Sequence, residues 1–503
     1  MRTRKAFKNA IFSLIYQIVF IVCGLITPKL ILEAFGSTYN GVISSANQFL
    51  QMISFLTLGI AGATRVALYK PLADGDMTSV SRIIKSNKRF MRKVAIAAVG
   101  LTALLCVIYP YISHNDLSSV ECSALIGIVG LGIFAQYFFG LSNQTLLSAD
   151  QSVYVYHIIQ TVATIINTLS AVILIRLGCN IFVVKLVSSI IFLISPVILN
   201  LVVKRKYHLL DSCEPDDSAI KNRGAVAFHS IANIIHEDTD LIVLTLFVDA
   251  KLISVYTVYQ LIIGKIRSMM LMLTNGLEGA FGNIWAKKEY MVFERNFKFF
   301  EYLIFSATSV LFCCVATLIL PFMSLYTSGV HDINYIIRSF ALLTVLTEAM
   351  HCIRQPYLTA VQSTGNYEGT KIGALVEALI NILVSLILVK PLGLNGVMIG
   401  TLVANTFRTI QYSIFVSHNI VRGSLNESIK KFVWFVANSA TIILVQMSCN
   451  KILFVPNTWL AWIGLGFIFV CVALLVTFVS SFIFYKNYLF HLFRIIKRVL
   501  LRS

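Results

Sequence analysis

Apolar runs of about 20 residues recur from one end of this chain to the other, and that one feature restricts the fold more than any motif does. Lipid offers the backbone no hydrogen-bonding partners, so each run must close its own bonds as a helix or belong to a closed barrel. The runs are long and do not alternate polar with apolar, which predicts helices. The chain is 57% hydrophobic and 13% charged, with a mean hydropathy of +0.81. The expected class is therefore an all-α polytopic membrane protein. Spans are expected near residues 10–32, 41–66, 94–113, 122–147, 153–175, 180–203, 225–247, 253–275, 299–325, 335–360, 369–389, 395–418, 432–450 and 459–485, about fourteen in all. The first run follows Arg2, Arg4, Lys5 and Lys8 as a signal peptide would. It is too long for one and lacks a small-residue cleavage site, so it is expected to be retained as a span.

Basic residues set the expected orientation, because short basic loops stay cytoplasmic. Lys70, Arg82, Lys85, Lys88, Arg89, Arg92 and Lys93 fall between spans two and three. Further basic groups fill 204–223, 287–298, 419–431 and the tail from Lys486, whereas the opposite loops hold only Arg176, Lys251, Lys390 and Lys451. Both termini are thus expected in the cytoplasm. The net charge of +18 is explained by this asymmetry and by attraction to anionic headgroups, without nucleic acid as a partner.

The loops exclude several activities. None is long enough for a folded catalytic module, and the outer ones are short throughout. No phosphate-gripping glycine loop, nucleophile elbow or paired metal ligands occur, which argues against an enzyme, an ATPase or a metal site. The ten cysteines show no CxxC spacing and read as small buried hydrophobes, so no cofactor is expected.

Polar residues inside the apolar runs are the functional candidates, because ionisable groups in hydrocarbon are costly and face a protein interior or a wet cavity. In Ala225–Val248, His229, Asn233, His236 and Asp240 share one helical face, with Glu237 beside them. The next span answers with Lys265 and Arg267. These groups either line a cavity or form ion pairs, such as Glu237 with Lys265, that only hold spans together. Span two carries Asn47, Gln51 and Ser54 on one stripe with Arg65 beyond; span five carries His157, Gln160, Thr164 and Thr168. Interhelical hydrogen bonding explains such stripes as well as ligand contact does. In span ten Glu348, His351 and Arg354 recur every three residues, and Glu377 in span eleven lies at the depth of Arg354, so a structural Arg354–Glu377 pair is one expectation.

A weak internal repeat accompanies the span count. Gly41-Val42 aligns with Ser254-Val255 and, at the same offset, Pro71-Leu72-Ala73 with Ile284-Trp285-Ala286; at nearly that offset Leu177-Gly178-Cys179-Asn180 aligns with Leu392-Gly393-Leu394-Asn395. This predicts a duplicated six-span unit, with both copies inserted the same way up around a pseudo-two-fold axis along the membrane normal. The expected domains are residues 1–210, residues 211–425 as their repeat, and an appendage of two spans plus a basic tail over 426–503.

Phe35-Gly36-Ser37-Thr38-Tyr39-Asn40-Gly41, the polar second span, the stretch Leu68-Tyr69-Lys70-Pro71-Leu72-Ala73-Asp74-Gly75-Asp76 and the pair Thr239-Asp240 resemble the polysaccharide transporters of the MOP superfamily, the Wzx-type flippases for O-antigen, capsule and teichuronic-acid precursors. The resemblance covers essentially the whole chain. It implies a MATE/MOP-like pair of six-helix bundles around a central cavity, alternating access, and transfer of a polyprenyl-diphosphate-linked oligosaccharide across a bacterial cytoplasmic membrane. The implied partners are that glycan lipid, the bilayer, a proton or sodium ion, and a polysaccharide polymerase. Pro28-Lys29, in the outer part of span one, departs from the family picture.

Such a task needs cations for the diphosphate, and Lys29, Arg65, Lys265, Arg267, Arg354 and Arg408 lie within or at the ends of spans. Lys29 and Arg65 are equally placed to snorkel to the interface. Asn47, Gln51, Asn233, His157 and Gln160 are candidate sugar contacts, and Asp240, His236, Glu348 and Glu377 are candidates for coupling to an ion gradient. The alternative on the same fold is a MATE-like multidrug or small-solute antiporter, for which a negative cavity is expected; a membrane polymerase or ligase would need a sizeable outer loop.

Overall fold

The computed structural model describes residues 2–57, 60–210, 213–216, 239–366, 368–452 and 456–500. The described residues form helices, with no β-strand beyond an isolated bridge between His114 and Asp249. Nine of these helices are long and apolar enough to cross a membrane. Of the seventh predicted span, residues 239–247 are described and helical; His229, Asn233, His236 and Glu237 lie outside the described residues.

Contacts divide the chain into two compact units, Met1–Val258 with Gly329–Ile333, and Tyr259–Ser328 with Asn334–Ser503. The first contains α1 (Arg2–Phe35), α2 (Ser37–Gln51), α3 (Ile60–Asp74), α4 (Met77–Ile112), α5 (Ser119–Ala135), α6 (Leu141–Ala149), α7 (Tyr154–Arg176) and α8 (Ile181–Tyr207). Helix α1 runs unbroken through Pro28 and packs on α7. The second predicted span is divided: α2 gives way to a 3₁₀ turn over Met52–Thr57 before α3 begins. The turn contains Ser54 and Thr57, and Thr57 Oγ1 competes for its backbone by donating to the Ser54 carbonyl at 2.8 Å. Between α5 and α6 a five-residue π stretch, Gln136–Gly140, packs against Pro196 of α8.

Helix starts follow local chemistry. Asp76 caps α4 by accepting from Ser79 Oγ at 2.5 Å and Ser79 N at 3.0 Å, and these bonds hold its carboxyl below the usual carboxylate range. Ser118 and Glu121 form a capping box on α5. After Gly36, whose φ of +84° favours glycine, α2 is capped from far along the chain: Ser37 N and Oγ both donate to Asp332 at 2.7 Å. Gly41 on α2 meets the start of α9 (Ala250–Ala286) so closely that a Cβ would lie 1.8 Å from the Ala250 carbonyl oxygen, and Asn40 Nδ2 donates to Ser254 Oγ at 2.8 Å.

The second unit contains the remainder of α9, then α10 (Tyr290–Tyr326), α11 (Arg338–Thr364), α12 (Lys371–Leu392), α13 (Leu394–Asn419), α14 (Leu425–Ile452), α15 (Trp459–Phe484) and α16 (Lys486–Leu500). Helices α12 and α13 form a tight antiparallel pair around Gly393 (φ +55°). Gly396 and Gly400 face α12 there, where a Cβ would come within 2.1 Å of the Leu388 carbonyl oxygen and 2.2 Å of Ser385 Oγ. That spacing is the small-residue pattern by which membrane helices approach closely. Helices α14 and α15 pack on α10 through an apolar cluster containing Cys313, Cys314, Leu465 and Phe469. Polar contacts tie them further: Thr317 Oγ1 donates to Gln446 Oε1 at 3.1 Å, and Gln446 Nε2 to the Phe469 carbonyl at 3.1 Å.

Candidate functional site

In the second unit, α11 presents Glu348, His351 and Arg354 on one face, all buried. Arg354 Nη1 donates to Glu377 Oε1 on α12 at 2.6 Å, the pair that the spacing predicts. Arg354 Nη2 lies 3.0 Å from His351 Nδ1. A guanidinium only donates, so Nδ1 is the acceptor and the neutral imidazole carries its proton on Nε2. The other oxygen of Glu377 is 3.3 Å from Arg408 Nε on α13. Arg408 is held further: Nη1 donates to the Thr370 carbonyl at 2.9 Å and to Gln411 Oε1 at 2.6 Å, Nη2 donates to Tyr412 Oη at 2.7 Å, and its guanidinium carbon lies 4.0 Å from the centroid of the Tyr412 ring. Gly373, in the first turn of α12, leaves the room this requires, since a Cβ there would fall 2.3 Å from Arg408 Nη1.

The same face of α11 reaches α9, where Arg267 Nη1 lies 3.3 Å from Glu348 Oε2. Lys265, two residues earlier, is half-buried. Three guanidinium groups and two carboxylates on four helices thus form two ion-paired sets joined through α11, Arg267 with Glu348 and Arg354 with Glu377 and Arg408, with one positive charge in excess. Arg354 and Arg408 are 9% and 4% exposed by side chain and Arg267 26%, so Arg267 is the most accessible of these guanidinium groups. An electropositive, partly buried guanidinium braced by a carboxylate is suited to a multivalent anion, which it would hold by charge-assisted hydrogen bonds.

No protein-family model and no curated protein matches the chain. Solved structures do. "Lipid II flippase MurJ, inward closed conformation" superposes with a TM-score of 0.69 at 14% identity, over 95% of this chain and 100% of that one. The MATE multidrug transporter DinF-BH gives 0.56 at 14% identity, over 83% and 95%. An inward-facing multidrug resistance MATE family transporter of the MOP superfamily gives 0.51 at 14% identity, over 80% and 95%. The chain has a MOP/MATE-like fold.

The other predicted residues of this MOP-fold chain lie in its first unit, apart from Asn233 and His236, which are outside the described residues. Lys29 is 3.5 Å from Glu33 one turn on, and Arg65 is exposed on α3. Asn47 Nδ2 donates to the Ile43 carbonyl of its own helix at 2.9 Å, and Gln51 is exposed at the end of α2. On α7, Gln160 is half-buried and so is His157, whose ring lies 5.2 Å from that of Tyr16 on α1. Asp240 is buried, and the Tyr256 hydroxyl lies 3.4 Å from its Oδ2.

Sequence reading missed three features of the MOP-fold chain. Lys431, counted there with the loop cations, is buried in α14 and ion-paired with buried Glu301 on α10 at 2.5 Å; Tyr357 Oη donates to the same carboxylate at 2.6 Å. No spacing rule links residues so far apart in the chain. Gln411 and Tyr412 brace Arg408 from positions three and four residues later, a helical spacing that was available to find them. Lys185 is a further half-buried cation, on α8, and its place inside an apolar run was signal enough.

Proposed function

We propose that this chain is a flippase that carries a polyprenyl-diphosphate-linked oligosaccharide from the inner to the outer leaflet of a bacterial cytoplasmic membrane, with both termini in the cytoplasm. The carrying observation is the charged group of side chains in the second unit, whose surplus is positive and whose most accessible guanidinium is Arg267. Moving such a lipid requires fixed cations for its diphosphate, whereas export of cationic drugs on this fold would favour a surplus of carboxylates. Arg267 is the residue we assign to the diphosphate. Glu348 holds the guanidinium in place while the site is empty, and Arg354, Glu377 and Arg408 fix α11 to α12 and α13 beneath it. Lys265, two residues before Arg267 and so on another face of α9, is a second phosphate candidate. Asn47, Gln51, Asn233, His157 and Gln160 are assigned to the glycan, and Asp240, His236, Glu348 and Glu377 are the candidates for coupling to a proton or sodium gradient. We read residues 1–210 and 211–425 as the repeated halves that rock about the site, and 426–503 as an appendage.

The test is transfer of a fluorescent polyprenyl-diphosphate sugar across liposomes containing the purified protein. Wild-type transfer that falls at least about tenfold in Arg267→Ala supports the assignment, since charge-assisted bonds to phosphate are among the stronger ones. Transfer that continues unchanged in Arg267→Ala removes the diphosphate from this residue. An absence of transfer with several lipid-linked sugars, together with exchange of a soluble cation for protons, would replace the flippase reading with the antiporter. Asp240→Asn, assayed with and without imposed proton and sodium gradients, tests coupling: a rate that ignores both gradients in wild type excludes it.

A further inference from the structure

The tail helix α16 follows the last span after one residue, Tyr485, and its sequence contains no acidic residue. One side of it is fixed to the protein. Leu489 is buried, the Tyr488 ring stacks 5.3 Å from that of Tyr302 on α10, and the His491 ring lies 4.7 Å from that of Phe299. These contacts set which face is turned away. That face carries Lys486, Phe490, Phe493 and Lys497 at helical spacing, with Arg494 beside them, and all five are exposed. Phe490 and Phe493 are 44% and 47% exposed, on the face with the cations rather than against the core.

Neighbouring aromatics show what this face meets. Phe493 lies edge-on to Phe478 of α15, 6.3 Å between ring centroids, and Phe478 and Phe482 are themselves exposed on that span, 44% and 47%. Lys486 Nζ is 5.3 Å from the Phe482 ring centroid and 5.9 Å from that of Phe490. The exposed apolar wall of α15 therefore continues onto α16 and there becomes interleaved with cations. A second copy of the same face would be repelled by like charge, and water alone gives two phenylalanines no reason to be there. A helix with cations flanking exposed aromatics at the end of a span matches the boundary between phosphates and acyl chains.

We propose that α16 is an interfacial helix whose Lys486, Arg494 and Lys497 bind the phosphates of anionic phospholipids while Phe490 and Phe493 enter the acyl boundary. The helix thereby clamps the cytoplasmic end of α15 to the leaflet surface. This assignment is independent of the transported substrate.

The test is amide hydrogen exchange over residues 486–497 of the full-length protein in nanodiscs of phosphatidylcholine alone or of phosphatidylcholine with phosphatidylglycerol. Exchange is expected to slow roughly tenfold or more in the anionic discs, given three cations at the surface, and high salt should remove most of the difference. Lys486→Gln with Arg494→Gln and Lys497→Gln should exchange alike in both discs, while Lys486→Arg with Lys497→Arg keeps the wild-type contrast. Equal exchange of wild type in the two lipids overturns the proposal without reference to any variant. Protection by a polyprenyl diphosphate added to neutral discs, with none from phosphatidylglycerol, would also overturn it and assign the face to the carrier lipid.

Discussion

Glu377 bonds two guanidinium groups from different helices, Arg354 and Arg408, in a place where neither cation has water to fall back on. Removing one member of a buried ion pair costs about 3–5 kcal/mol because the partner's charge stays buried, and here two partners would be stranded. Glu377→Ala is expected to lower stability by that order in a detergent unfolding measurement, and Glu377→Gln by less, since the amide oxygen still accepts. An unfolding midpoint unmoved by Glu377→Ala would show the network to be energetically idle. The Lys431–Glu301 pair gives a cleaner contrast. Lys431→Met alone leaves Glu301 charged in a site of 0% exposure and should cost about 3–5 kcal/mol. Adding Glu301→Gln keeps an acceptor for Tyr357 and should restore most of that loss; additive losses in the double variant would contradict it. At this scale the sequence marks which side chains are out of place in hydrocarbon and, within neighbouring helices, pairs Arg354 with Glu377. It is silent on Lys431 with Glu301, because that contact depends on how α14 returns to α10.

At the scale of elements, periodicity and helix caps are local properties, so the apolar runs locate helices well wherever the structure describes them. The reading fails where side chains work against the backbone. The polar stripe of Asn47, Gln51 and Ser54 marks a functional candidate, and the same polar stretch divides the expected span into α2, a 3₁₀ turn and α3. Helices α11 and α13, which carry most of the charged network, are also absent from the nine that qualify as spans by apolarity alone, so a hydropathy count undervalues the helices that carry the candidate site. The α12–α13 pair rests on glycines whose role was legible as spacing but passed over. Gly396→Ala places a methyl 2.1 Å from the Leu388 carbonyl oxygen, and Gly400→Ala crowds Ser385. Both are expected to cost about 1–3 kcal/mol by forcing the helices apart, read as a lower unfolding midpoint. Because Glu377 and Arg408 belong to this helix pair, Gly400→Ala should also reduce transport; a stabilised variant would show that the helices do not depend on this close approach.

For the whole molecule, the flippase reading with two halves inserted the same way up fixes the parity of membrane crossings. Gly178 and Gly393 are turn glycines with positive φ at positions that align in the proposed repeat, and the proposed orientation puts both on the outer side. Two sites on the same side must be separated by an even number of crossings. Five described helices, α8 to α12, lie between them, so the flippase reading needs one further crossing there, which we assign to the apolar run 225–247, helical over its described residues 239–247. Alkaline phosphatase fused after Gly178 and after Gly393 should therefore be active in both cases, and a fusion after Gly423 inactive, with a fluorescent protein after Ser503 bright. An active fusion at Gly178 with an inactive one at Gly393 would mean that 225–247 does not cross. The two halves would then be inverted with respect to one another, and Arg267 and Glu348 would enter the membrane from the side opposite to the one the flippase reading requires.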